Sequence, residues 1–202
     1  MITNIYVEGE ADKKYIKDYI EFLFNIKVSN NKINETGGWT KIASNKGESI
    51  RNSMKKNTAN GENNIVIFDA DENPNQRRKD IEEWKTKFGL AFKLFLFPDN
   101  KSQGELEDLL EHLIPDNNLD IFECWKNYEN CIKTKSKTRK KTLTIPAKKS
   151  KIYCYVETLV GTSNSEKEKI KDRNRDFLNA EHWQLDSANL LPLKEFLIEN
   201  IK

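Results

Sequence analysis

Asn64-Ile-Val-Ile-Phe-Asp69-Ala-Asp71 is the stretch that decides how the rest of the chain is read. Its centre is apolar on both alternating faces. A strand of that kind is at home in the middle of a parallel sheet, where helices cover both sides. It then ends on two carboxylates. In extended chain residues i and i+2 point the same way, so Asp69 and Asp71 are expected to face one point in space. An Asp-x-Asp pair is common by chance, and its position directly after a fully apolar strand is what gives it weight.

Working outward, Ile2 to Val7 is a short β-branched run that reads as another buried strand and breaks at Glu8-Gly9. Tyr15, Ile16, Tyr19, Ile20, Leu23 and Phe24 follow at helical spacing. A weak strand is expected around Lys32 to Glu35, then a Gly37-Gly38 turn and a helix over Ile42 to Lys56 that ends by Asn60-Gly61. On the other side, Asn73-Pro74 opens a helix to about Phe88, with Ile81, Trp84 and Phe88 inward. Ala91 to Phe97 reads as a third strong strand, and Gly104 precedes a helix carrying Leu106, Leu109, Leu110 and Leu113. Strands alternating with helices predict an α/β fold with a Rossmann-like, mainly parallel sheet flanked by helices. We assign the α/β core to residues 1–115 and a mainly helical extension, packed on it as one compact unit, to residues 116–202. Ala188 to Ile201 is expected to be the closing helix, with Leu193, Phe196, Leu197 and Ile201 as its apolar stripe.

The 202 residues are 37% hydrophobic and 33% charged, which allows a core beneath a heavily solvated surface. No stretch approaches the roughly 20 apolar residues of a membrane helix, and the start does not read as a signal peptide. Three cysteines fit no zinc spacing and predict reduced thiols in a cytoplasmic protein with no membrane partner. The net charge of +2 hides a segregation: Asp99 to Glu129 holds nine acids against two lysines, and Ile132 to Lys151 holds nine bases and no acid. Such a division suits an anionic partner on one face, although a solvated helix followed by a basic loop explains it as well.

Ligands of doubly wound sheets lie outside the carboxyl ends of the strands. Here those ends carry Glu8 after the first strand, Asp69 and Asp71 after the second, and Asp99 with Glu105, Glu107 and Asp108 after the third. Carboxylates packed together repel unless a cation or protons neutralise them. Oxygen donors without paired His or Cys favour Mg²⁺, Mn²⁺ or Ca²⁺ over zinc. Asp12, four residues beyond Glu8, either shares its face or simply favours the positive end of a helix. Trp39, after two glycines, is a candidate for an exposed position near this edge, whereas Trp84 belongs to a core stripe.

These residues resemble a known family. Ile5-Tyr-Val-Glu-Gly-Glu-Ala-Asp12 and the Ile65 to Asp71 strand are similar to the Toprim domain of topoisomerases, bacterial primases, RNA-maturation nucleases and overcoming-lysogenization-defect (OLD) nucleases. Leu96 to Leu110, Lys148 to Tyr155, Trp183 to Ala188 and Leu193 to Leu197 resemble a group of small stand-alone Toprim proteins of unassigned function. The resemblance implies a metal site of Glu8, Asp12, Asp69, Asp71, Glu105 and Glu107, with Asp108 as an alternate, holding Mg²⁺ or Mn²⁺. It also implies a basic catalytic residue at Lys149, with Lys148 and Lys151 in competition. One departure is Glu72, where the family places a glycine after its acidic pair. The large ATPase domain of OLD proteins is not expected within these 202 residues.

The expected activity is metal-dependent phosphodiester hydrolysis of DNA or RNA, with Glu8, Asp69 and Asp71 at the metal and Lys149 offsetting charge on the phosphate. Lys140, Lys141, Lys148, Lys149 and Lys151 are expected to contact backbone phosphates without reading bases. The competing expectation is a non-catalytic metal- or nucleotide-binding regulatory module, or a partner-dependent subunit of a defence or toxin-like system. A homodimer or a partner protein fits either one.

Overall fold

A computed structural model describes residues 3–201. Four strands, β1 (Thr3–Val7), β2 (Ile33–Glu35), β3 (Asn63–Asp69) and β4 (Lys93–Phe97), form one sheet in the order β2-β1-β3-β4, with every pair parallel. The expected α/β, Rossmann-like core is therefore present. Ile2, the first residue of the predicted opening strand, lies outside the described residues. The predicted third strand begins two residues late, at Lys93.

Alternation along the strands sends side chains to two covered faces. Ile5, Val7, Ile65, Ile67, Phe95 and Phe97 pack with Tyr15, Ile16, Tyr19 and Ile20 of helix α1 (Glu10–Phe24). Tyr6, Val66, Phe68, Leu94 and Leu96 face the other way, onto Met54 of α3 (Glu48–Ala59) and Ile81 and Trp84 of α4 (Pro74–Phe88). Burying each of these large side chains contributes about 1.5–3 kcal/mol. The chain thus leaves β1 on one face of the sheet and reaches β3 and β4 along the other. Adjacent β1 and β3 flank the point where the strand order reverses, so their carboxyl ends open a crevice.

The helix expected over Ile42 to Lys56 is instead two. A short α2 (Trp39–Ala43) and a 3₁₀ turn at Asn45–Gly47 precede α3. Ser44 Oγ accepts the Lys46 N–H, and Arg51 donates to the carbonyls of Ile42 and Ser44. These bonds replace the helical ladder, and a Cβ at Gly47 would lie 2.3 Å from the Ile42 backbone. Propensity alone does not register so tight a turn.

Beyond β4 come α5 (Leu106–Glu111), α6 (Leu119–Ser136), α7 (Lys148–Val160), α8 (Asn164–Ile170) and α9 (Leu191–Asn200). The closing helix is shorter than predicted, because residues 188–190 form a 3₁₀ turn and Pro192 sits in the first helical turn. Ile152, Tyr155, Phe177, Trp183, Leu193 and Leu197 share one apolar cluster with β1, β3 and β4. Helix α6 is different: 18 residues long, it buries none of them. Among the described residues no helix is long and apolar enough to cross a membrane.

Candidate functional site

The parallel register sets the site. Val7 pairs with Ile67, so the residue after β1 reaches the level at which β3 ends. There the Asp69 N–H donates to Glu8 Oε1 (3.3 Å). Asp69 Oδ1 accepts the Leu106 N–H at the start of α5 (3.0 Å). Asp12, in the first turn of α1, accepts the Gly9 N–H with Oδ2 (2.7 Å). Its helix-capping role is therefore real. It does not remove Asp12 from the crevice, because its charge is felt by Asp69 and it in turn feels Glu8 and Glu107.

Burial raises the proton affinity of all four acids, and repulsion within the group adds to it at Asp12 and Asp69. Burial pushes Asp69 up to about 8, with repulsion from Asp12, Glu8 and Glu107 adding to it and the Leu106 N–H opposing it. Asp12 rises to about 7, first through burial and then through Glu8 and Glu107, against the Gly9 N–H. Glu8 and Glu107 are raised too, mainly by burial; Arg77 offsets this at Glu8 and Lys149 offsets it at Glu107. Burial is the largest cause at every one of these positions, as expected of carboxylates taken out of water.

Asp71 goes elsewhere. Its backbone is left-handed (φ 51°), and it exchanges hydrogen bonds with Gly104 in both directions, at 2.9 and 2.8 Å. The extended geometry on which the same-side expectation depended ends at Asp69. Asp71 instead pairs with Arg77 of α4 and lines a neighbouring cleft of about 760 Å³. Glu105 lines the same cleft and, with Asp108, holds Lys148 (3.2 and 2.7 Å). Of the six predicted metal ligands, Glu8, Asp12, Asp69 and Glu107 are thus brought together, and Asp71 and Glu105 stand on the cleft side. Asp99 is spent on its own turn, accepting from the Lys101 and Ser102 N–H groups and the Ser102 hydroxyl.

The basic candidates divide as well. Lys149 Nζ lies 2.5 Å from Asp172 Oδ2, at the Glu107 edge of the crevice. Lys151 pairs with Glu111 (2.7 Å), while Lys140 and Lys141 are exposed. Three contributors escaped the sequence reading. Arg77 lies in the first turns of α4, where an arginine soon after Asn73-Pro74 was the available signal. Asp172 and the buried Arg175 come from the distant 170s, and no local pattern ties them to Lys149.

The donor chemistry fits a hard cation, being all oxygen, and the second oxygens of Glu8 and Asp69 carry no hydrogen bond from the described residues. No group of three or more His, Cys, Asp or Glu among the described residues is already arranged as a cage, so an ion would have to draw the carboxylates inward. The three cysteines are free and exposed.

Compared with known proteins, residues 3–201 match a family described as "Protein of unknown function (DUF3226)". No curated protein and no solved structure matches the chain.

Proposed function

We propose, for a chain that belongs to the DUF3226 family, metal-dependent hydrolysis of phosphodiester bonds in nucleic acid. One observation carries the reading: Glu8, Asp12, Asp69 and Glu107, from three separate segments, converge at the reversal point of a parallel sheet, where burial raises the proton affinity of each. The order of the acidic motifs, which resembles the Toprim domain, supports it further. Glu8, Asp12, Asp69 and Glu107 would hold Mg²⁺ or Mn²⁺, which supplies polarisation of a phosphoryl oxygen and a more acidic water. The chain's own part is positional. Backbone N–H groups of Asp69 and Leu106 fix one oxygen each of Glu8 and Asp69, which leaves the other oxygen of each for a ligand. Lys149 stands beside Glu107, anchored on Asp172, where its charge can oppose that developing on a phosphate.

The test is cleavage of single- and double-stranded DNA and RNA with Mg²⁺ or Mn²⁺. The parent is expected to cut at least one of them and Asp69→Asn to fail. A parent that cuts none of them under either cation, or an Asp69→Asn variant as active as the parent, overturns the proposal. A regulatory binding module has one observation in its favour, since Lys148, Lys149 and Lys151 are already ion-paired rather than free for phosphates. Tight nucleotide binding without turnover would select it.

A further inference from the structure

We infer that the cleft beside the carboxylate crevice receives one unpaired nucleobase against Trp39 and Arg77, which makes single strands or unpaired ends the preferred ligand. The inference rests on the hydrolase reading only for the path of the phosphates.

Trp39 is fixed at this edge by the backbone. The Thr36 N–H and hydroxyl both donate to the Val7 carbonyl (2.9 and 2.8 Å), and the Gly37 N–H donates to the Glu8 carbonyl (2.8 Å). The turn is therefore strapped across the residue that ends β1. Gly38 continues it at φ 92°, and a Cβ there would lie 3.3 Å from Glu8 Oε2. The next side chain is Trp39. Trp84 and Trp183 are buried in the two cores, but Trp39 is only half-buried and lines the cleft. Arg77 lies 5.3 Å from its ring centroid while also pairing with Asp71. An aromatic ring and a guanidinium plane are the two surfaces on which unstacked bases settle.

The lining then discriminates between base and phosphate. Asp71, Glu72, Asp80 and Glu105 line the cleft, and its only cationic lining groups among the described residues, Arg77 and Lys148, are each paired with acids. A phosphate would be repelled, whereas ring and exocyclic N–H groups find acceptors. Gln103 lines the cleft too and makes no hydrogen bond among the described residues, so its amide is free to match a base edge. The volume of about 760 Å³ falls within the roughly 300–1,000 Å³ typical of small-ligand pockets. A base still paired in a duplex cannot enter without being extruded from the stack.

The experiment measures binding of a short single strand, in deoxy and ribo forms, to full-length Asp69→Asn protein, which should bind without cutting. The same strand with one abasic position and the blunt duplex are the competitors. The intact strand should bind about five- to a hundredfold tighter than either competitor and quench tryptophan emission. Trp39→Ala in that background should abolish both effects, and Trp39→Phe should keep most of the affinity, with thermal melts checking that both variants fold. The two sugars distinguish an RNA from a DNA ligand. Equal affinity for strand and duplex, or no change in Trp39→Ala, overturns the subsite. Cleavage by otherwise wild-type protein that Trp39→Ala leaves untouched removes the subsite and keeps the hydrolase. Trp39-dependent capture with no cleavage under any cation does the reverse.

Discussion

Asp69 and Asp71 are the same residue type two positions apart, yet they end up in two different environments. Asp69 closes β3 and enters a buried crevice with Glu8, Asp12 and Glu107, where its proton affinity climbs to about 8. Asp71, at φ 51°, turns out to an open cleft and meets Arg77. The backbone makes this division. Aspartate tolerates the left-handed region better than most residues, and the antiparallel bridge to Gly104 holds it there. An acidic pair that looks like one ligand set is thus split between a place suited to a cation and a place suited to a neutral ring. In the proposed function, repulsion relieved by a metal belongs to the crevice only.

The sharpest way to break that division is kinetic. Asp69→Asn should lower cleavage by about 10²–10³-fold, in keeping with the loss of one electrostatic group at a reacting centre. Asp71→Asn should cost less than about tenfold, through KM more than kcat, because it alters the wall of the cleft. If the two variants lose comparable kcat, the two aspartates act together and the division fails.

A second effect appears without any substrate. A carboxyl raised from an ordinary 3.8 to about 8 binds a proton more tightly folded than unfolded. The stability it contributes is present at low pH and is lost as pH rises through the folded value. Metal-free protein should therefore melt lower at pH 8.5 than at pH 6, by several degrees, since one kcal/mol corresponds to about 2–4 °C at this length. Asp69→Asn keeps an oxygen for the Leu106 N–H while removing the charge, so it should flatten the dependence; Asp71→Asn should not. Saturating Mg²⁺ should reverse the slope, because the ion competes with protons. Thermal melts across pH, with chelator and with Mg²⁺, decide it, and a parent curve that is flat between pH 6 and 8.5 contradicts the crowding of these acids.

Between the two places stands the Gly38 turn. Its φ of 92° lies in a region open almost only to glycine, and Glu8 Oε2 crowds the missing Cβ. Gly38→Ala should cost about 1–3 kcal/mol in denaturant unfolding. It should also displace Trp39 and weaken base-dependent capture. Full stability in Gly38→Ala would mean that the turn is free to move and Trp39 is not anchored.

Much of this was legible in the chain because apolar alternation and strand order are strong, local signals. Ile65 to Phe68 announced a central strand, and the fold rule then placed Glu8 and Asp69 at one edge. What stayed hidden depended on single dihedral angles or on distant partners. Nothing in Asp69-Ala-Asp71 shows that the second aspartate leaves the extended region. Nothing near Lys149 announces Asp172, because the 3₁₀ turn that carries it (Asp172–Asn174) is placed by packing against α1, far away in sequence. The charge runs were legible as composition, but ion pairing decides which lysines remain available, and that is a property of the folded surface.

The smallest expected effect concerns two neighbours on α7. Successive helical residues point about 100° apart, and Lys148 accordingly faces the cleft, on Glu105 and Asp108, while Lys149 faces Asp172 and the Glu107 edge of the crevice. Lys148 is close to half exposed, so solvent screens its pairs and Lys148→Met should cost less than about 1 kcal/mol. It should leave the pH dependence of melting unchanged, because Lys148 is not among the charges that move Glu8, Asp12, Asp69 or Glu107. Lys149→Met removes a charge that holds Glu107 down, so Glu107 should protonate at higher pH and the fall of metal-free stability with rising pH should extend to a higher pH as well. Paired melts of the two variants read the difference directly. Equal shifts would place both lysines on one side and dissolve the boundary between crevice and cleft at α7.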